Sequence, residues 1–373
     1  MERPGTDHEI ILFCYDISVF SRRIEYYLGL RGIKYTRCIQ PTHLPRPDLT
    51  SLGINYRRIP VLAIGRDIYM DTRIMIEKLE SKFPCGALSS KEPFNRGIEK
   101  IIESWVIEAG PWWKTQTSIP LHASIIRDSA WMKDRKEGSG GRFTAEALSA
   151  NRASSLVDLN SYFYWAEHGL LADGRQFLFD TTEPTLGDVH GVWSFDWGLH
   201  MAMGDAEVES CDEDVINSWR FPKVNAWVER FKKAHANAVE EHGKPPLISG
   251  AGARSRLLQS DFMELEGSVD LCDPLKLKKG QMVEIRPTDF GSTHSDIGQL
   301  VSLCSREAVI AIPAKNGDGF LRLHYPRTGF KITVISDKQG IFSKITNWIR
   351  ARSQSTYKLL RRIWSFVRFK KAD

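Results

Sequence analysis

The sequence has no CxxC pair and no cysteine or histidine spacing of the kind that holds a metal, and its six cysteines (Cys14, Cys38, Cys85, Cys211, Cys272 and Cys304) are scattered. Zinc modules and CxxC redox centres are thereby excluded, no metal is expected, and the histidines read as incidental. No run of 18 or more apolar residues occurs, so no spanning helix is expected. Nothing at the amino end reads as a signal peptide, which points to a reduced, cytoplasmic setting. The body of the chain also lacks a basic excess. Of the formal net charge of +5, the ten Lys and Arg of residues 338–371, opposed only by Asp373, contribute +9, leaving about −4 for the remainder. The basic character belongs to the tail, and no nucleic-acid partner is expected.

What is present is an ordinary globular composition, 42% hydrophobic and 26% charged, over 373 residues, enough for two or three domains. Residues 9–13 read as a short buried strand, and apolar positions from Phe20 (Ile24, Tyr27, Leu28, Leu30) read as a helix ending at Gly32. Residues 33–39 alternate as a strand with Lys34 and Thr36 on the polar face, and 40–46 form a proline-punctuated connector. The organising stretch is 57–80. It holds an apolar run opened by Ile59-Pro60, a turn at Gly65-Arg66-Asp67, a second strand, and Asp71-Thr72 directly before a helix-period segment. Proline cannot donate to a sheet ladder, so Pro60 implies an edge or a bend, and a cis bond there would turn the Ile59 backbone outward. Asp71 and Thr72 would set free N–H groups and a positive dipole end at a helix start, an anion site.

The order βαβ then ββα resembles a thioredoxin-like domain. Ile59-Pro60-Val61 and Asp71-Thr72 resemble the glutathione-binding signature of the glutathione S-transferases. The resemblance implies that Asp71 and Thr72 hold the ligand's glutamyl end, that Ile59 pairs with its cysteinyl unit, and that Arg58 and Pro60 belong to the same site. Glutathione is then the co-substrate.

Beyond residue 92 the text turns helical. Ile98, Ile101, Ile102, Trp105 and Val106 recur at helical spacing, and further helices are expected around 145–168, 188–203 and 221–242, with 133–141 a mobile glycine-rich loop. Thr185-Leu186-Gly187-Asp188 is a capping-box pattern whose role reads as structural. With Gln176–Asp180 before it, this box resembles the start of the central buried helix in the helical domain of the same family. After a helical stretch at 254–265, five short strands follow at 282–286, 298–304, 308–312, 320–324 and 330–335. The expected fold class is α+β. It comprises a thioredoxin-like domain at 8–86, an all-helical domain at 92–245, a small β appendage at 255–336 and a basic amphipathic tail at 338–373. The arrangement resembles fungal glutathione S-transferase-like proteins with such an extension. For the tail, a helix lying on an anionic membrane and a dispensable segment both stay open.

Ser18-Val19-Phe20-Ser21-Arg22-Arg23 resembles the serine-type arrangement of these transferases, in which a hydroxyl points at the bound thiol. A free thiol with a pKa near 8.5 is only about 3% thiolate at pH 7, so a hydroxyl donor at a helix N-terminus has a clear use. Ser18 as catalytic residue stands beside Ser18 as a simple helix cap, with Ser21, Tyr15 or Cys14 as substitutes. Trp112 and Trp113, on the wall that faces the thiol in this family, are either substrate pocket or core. The expected activity is conjugation or other transformation of a hydrophobic electrophile, in detoxification or secondary metabolism. A non-catalytic binding or scaffold protein is the alternative, and a homodimer is an open option.

Overall fold

All five residues of Ile10–Cys14 are apolar and all are buried, and this strand, β1, lies inside the sheet on which the molecule is built. The computed structural model describes residues 9–203, 215–315 and 319–335. Helix α1 (Val19–Leu30) leads from β1 to β2 (Thr36–Ile39), which pairs parallel with β1. After α2 (Pro47–Ser51), β3 (Val61–Ile64) pairs antiparallel with the other side of β1, β4 (Asp67–Met70) pairs with β3, and α3 (Thr72–Lys82) follows. Thr36, assigned above to a polar face, is buried, and its hydroxyl donates to Glu9 at 2.9 Å. The Ile59–Pro60 bond is cis. Because β3 is paired on both sides, Pro60 marks a bend ahead of the strand and not an edge.

The helical layer comprises α4 (Pro93–Ser104), which widens into a π turn at Trp105–Ala109, then α5 (Pro111–Thr117), α6 (Ser124–Arg127), α7 (Ser129–Gly138), α8 (Ala145–Trp165), α9 (Leu186–Met203), α10 (Pro222–His242) and α11 (Gly250–Gln259). Most of the stretch read as a mobile loop at 133–141 belongs to α7. The signal that was passed over is Asp128, whose carboxylate accepts from the N–H groups of Ala130 and Trp131 at 2.9 and 3.1 Å and caps that helix. Residues 186–196 of α9 are buried without interruption, the polar Asp188, His190, Ser194 and Asp196 included. Asp188, also fully buried, accepts from the N–H groups of Leu178 and Thr185, the Thr185 hydroxyl and the Trp227 indole, at 2.7–2.9 Å. It therefore ties the start of α9 to the preceding loop and to α10. Asp188→Ala leaves four donors without their acceptor, two of them, the Leu178 N–H and the Trp227 indole, in the core, and is expected to cost about 2–3 kcal/mol in urea unfolding. A loss under about 0.5 kcal/mol, typical of surface sites, would contradict this reading of the box.

The C-terminal strands β5 (Met282–Pro287), β6 (Asp296–Leu303), β7 (Glu307–Pro313), β8 (Phe320–Pro326) and β9 (Phe330–Val334) do not stand apart. β8 pairs parallel with β4, setting Asp67 opposite Arg322, Ile68 opposite Leu323 and Tyr69 opposite His324, so one nine-stranded sheet runs in the order β2-β1-β3-β4-β8-β7-β6-β5-β9. The edge that β4 would have exposed is covered from within the chain. At this seam Asp67 is fully buried and accepts from Arg322 at 2.6 and 2.9 Å, from His324 Nε2 at 2.9 Å and from the Glu264 N–H at 2.8 Å. His324 Nδ1 meets Glu307 at 2.6 Å, and Lys78 bridges Glu264 and Glu307 at 2.8 and 2.7 Å. His324 is therefore structural rather than incidental. Glu264, Glu307 and His324 lie within metal-ligand reach of one another, but the Lys78 ammonium already bridges the two glutamates. No helix among the described residues is long and apolar enough to cross a membrane, and the basic tail lies outside the described residues.

Candidate functional site

A cavity of about 730 Å³ opens where the first strand hands over to α1, where Pro60 bends the chain into β3, and where α3 begins. Ser18, Arg58, Ile59, Pro60, Asp71 and Thr72 all line it, so residues more than fifty positions apart converge on one wall. The backbone of Ile59 has no hydrogen-bond partner among the described residues, which leaves one N–H and one C=O at the cleft unpaired.

Ser18 caps α1: its Oγ accepts from the Ser21 N–H at 3.2 Å. That contact uses a lone pair, so the hydroxyl proton remains free to donate. The substitutes fare differently. Ser21 is sealed in the interior and does not line the cleft, and burial, reinforced by Glu25, pushes the Cys14 thiol up to about 11. Tyr15 does line the cleft, where its hydroxyl accepts from Arg135 at 3.2 Å.

Asp71 adopts φ 82° and caps α3. Its Oδ1 accepts from the N–H and Nε of Arg73 at 3.1 and 3.0 Å, and its Oδ2 from Arg73 Nη2 at 3.1 Å and Arg58 Nη1 at 3.5 Å. Burial would raise its pKa, but the charge and hydrogen bonds of Arg73, with Arg58, outweigh it and hold the carboxyl below the usual range. The Thr72 hydroxyl accepts from Arg23 at 2.7 Å; the buried Arg23 also reaches Glu103 at 2.5 Å and His190 at 2.6 Å. His190 is no more incidental than His324: it is fully buried, and desolvation pushes its pKa down to about 3, so it stays neutral beside that guanidinium. This network binds α1 and α3 to α4 and α9.

The cavity also has a set of apolar lining residues. Trp112 lines it and packs edge-on against Phe20 at 5.0 Å, and Ile107, Ile119, Ile125 and Trp131 line it too. Trp113 packs beside Trp112 at 5.6 Å and is not part of the lining. Two contributors were not anticipated. Trp131 and Arg135 come from α7, of which Arg135 fell within the stretch read as a loop at 133–141, and Asp289 and Phe290 come from the β5–β6 loop. That loop carries no motif, and nothing local announces that it reaches the cleft.

Residues 12–92 match the family model described as "Glutathione S-transferase, N-terminal domain", and residues 114–240 match one described as a domain of unknown function, DUF7962. Over residues 12–92 the chain is similar to the glutathione S-transferases. Over 161 residues, 40% of this chain and 74% of the relative, it is 23% identical to a "Probable glutathione S-transferase" of Solanum tuberosum. Over 110 residues it is 24% identical to "Glutathione S-transferase U6" of Arabidopsis thaliana, covering 28% of this chain and 49% of that protein. Among solved structures, a GST-like protein from Pseudomonas syringae superposes with a TM-score of 0.62 at 22% identity, covering 88% of this chain and 99% of its own. The glutathione S-transferase-like fold thus comprises the thioredoxin-like sheet, the helical layer and the C-terminal strands.

Proposed function

We propose that this protein binds glutathione in the cleft and joins its thiol to a hydrophobic electrophile, or transforms such a compound with it. One observation carries the reading: a single cavity is lined both by Ser18, Ile59, Pro60, Asp71 and Thr72 and by the apolar side chains of Phe20, Ile107, Trp112 and Trp131. The unpaired Ile59 backbone suits the peptide's cysteinyl unit, the start of α3 suits its glutamyl carboxylate, and the Ser18 hydroxyl at the head of α1 suits a thiolate. In this reading residues 8–86 hold the peptide, and 92–245 supply the apolar wall. Residues 255–336 extend the sheet and reach the cleft through the β5–β6 loop.

A second reading, binding without turnover, draws on Asp71, whose two oxygens are already committed to arginines. Two measurements separate the readings. Glutathione at 100 times its Kd should stabilise the native state by about 2.7 kcal/mol, seen as a rise in Tm, and 1-chloro-2,4-dinitrobenzene should be conjugated under the same conditions. A rise without conjugation selects the binding protein, and no rise at all defeats both.

A further inference from the structure

Resting on the glutathione reading, we infer that the C-terminal strands complete the ligand site, with Asp289 of the β5–β6 loop taking the α-ammonium of the glutamyl end. A γ-glutamyl peptide ends in a zwitterion, so its site must offer a cation or helix start to the carboxylate and an anion to the ammonium. Arg58 and the head of α3 serve the first need. Asp71 is poorly placed for the second, because Arg73 and Arg58 occupy both of its oxygens. Asp289 also lines the cleft and is held by the other arm of the same guanidinium: Arg58 Nη1 reaches Asp71 and Nη2 reaches Asp289. Asp289 has one oxygen on Arg58, and its second has no partner among the described residues. Its side chain is 57% exposed at the cleft.

The loop that carries it is fixed from three sides. Arg58 Nε donates to the Phe290 carbonyl at 2.7 Å, and the Gly291 N–H donates to the Gly138 carbonyl at 2.6 Å. The guanidinium groups of Arg57 and Arg135 stand over the Phe290 ring at 5.6 and 5.5 Å. A carboxylate carried on an anchored loop loses little freedom when a cation arrives, which favours binding.

The test pairs Asp289→Asn with glutaryl-Cys-Gly, the glutathione analogue that lacks only the ammonium, and reads Kd by calorimetry. The wild-type protein should prefer glutathione by about tenfold, as expected for a charge-assisted contact. Asp289→Asn should bind the analogue as the wild type does and lose the preference. A mutant that keeps the preference, or one that weakens both peptides equally because the loop has only been loosened, overturns the inference. A wild-type protein that binds both peptides equally overturns it without any mutant. A wild-type protein that binds neither removes the glutathione reading along with it.

Discussion

Ser18→Ala is expected to bind glutathione about as well as the wild type and to turn over about tenfold to a thousandfold more slowly, the effect of removing one donor to an anion, roughly 1.4–4 kcal/mol. Binding survives because the peptide contacts proposed above belong to Ile59, Arg58, Asp289 and the start of α3. Turnover falls because the hydroxyl proton, left free by the Ser21 contact, is a donor in the cleft at the head of α1. The cap is lost as well, which costs about 1 kcal/mol of stability, so the comparison belongs well below the melting temperature of both proteins. Ultraviolet titration of bound glutathione checks the cause directly. The thiolate band should appear well below pH 8.5 in the wild type and move back toward the free-thiol value in the mutant. A mutant that retains both rate and titration reduces Ser18 to a cap, and Tyr15 becomes the residue to change.

Asp67→Asn is expected to cost about 3–5 kcal/mol, since it leaves Arg322 and His324 in the interior without their shared counter-charge. The wild-type seam should also show itself in pH dependence. Burial would raise the Asp67 pKa, but His324 and then Arg322 hold it at about 2. A carboxyl with a depressed folded-state pKa stabilises fully above its unfolded value near 3.9, and that contribution, about 2.6 kcal/mol, is lost as pH falls from about 4 to about 2. His324 behaves in the opposite sense. Burial would lower its pKa, but Asp67 and Glu307 raise it, so its contribution is fully present below about 6.5 and is lost as pH rises through the folded-state value. Urea midpoints measured from pH 3 to 9 should therefore fall on both flanks in the wild type. Asp67→Asn should flatten the acid flank and shift the alkaline one downward. An unchanged profile, or a loss below about 1 kcal/mol, would mean that the seam is held by backbone pairing and apolar packing alone.

Much of the candidate site was legible because its signals are local. Ile59-Pro60 before an apolar run, Asp71-Thr72 before a helical period, and Ser18 between strand and helix are each defined by neighbours a few residues away, and the cleft brings them together as one wall. Trp112 was legible only as a position on a helix, and no periodicity could separate it from Trp113, since both lie on α5 and which one meets Phe20 depends on how α5 rests on α1. Residues 133–138 were misread because glycine and charge outweighed the Asp128 cap.

By itself the sequence determined most of the strands, the longer helices and the structural role of the Thr185–Asp188 box, because short-range backbone geometry and apolar periodicity decide these, while the burial of α9 and the ligand roles of Ser18, Ile59, Asp71 and Thr72 were expected only through the family resemblance. Only the tertiary structure decided that the C-terminal strands continue the first sheet, that buried charges close the seam, and that Asp289 and Phe290 reach the cleft. Those outcomes depend on which strand covers the free edge of β4 and on which charges are buried together. Such choices are made between segments about 200–250 residues apart, by desolvation and pairing energies that no local pattern carries.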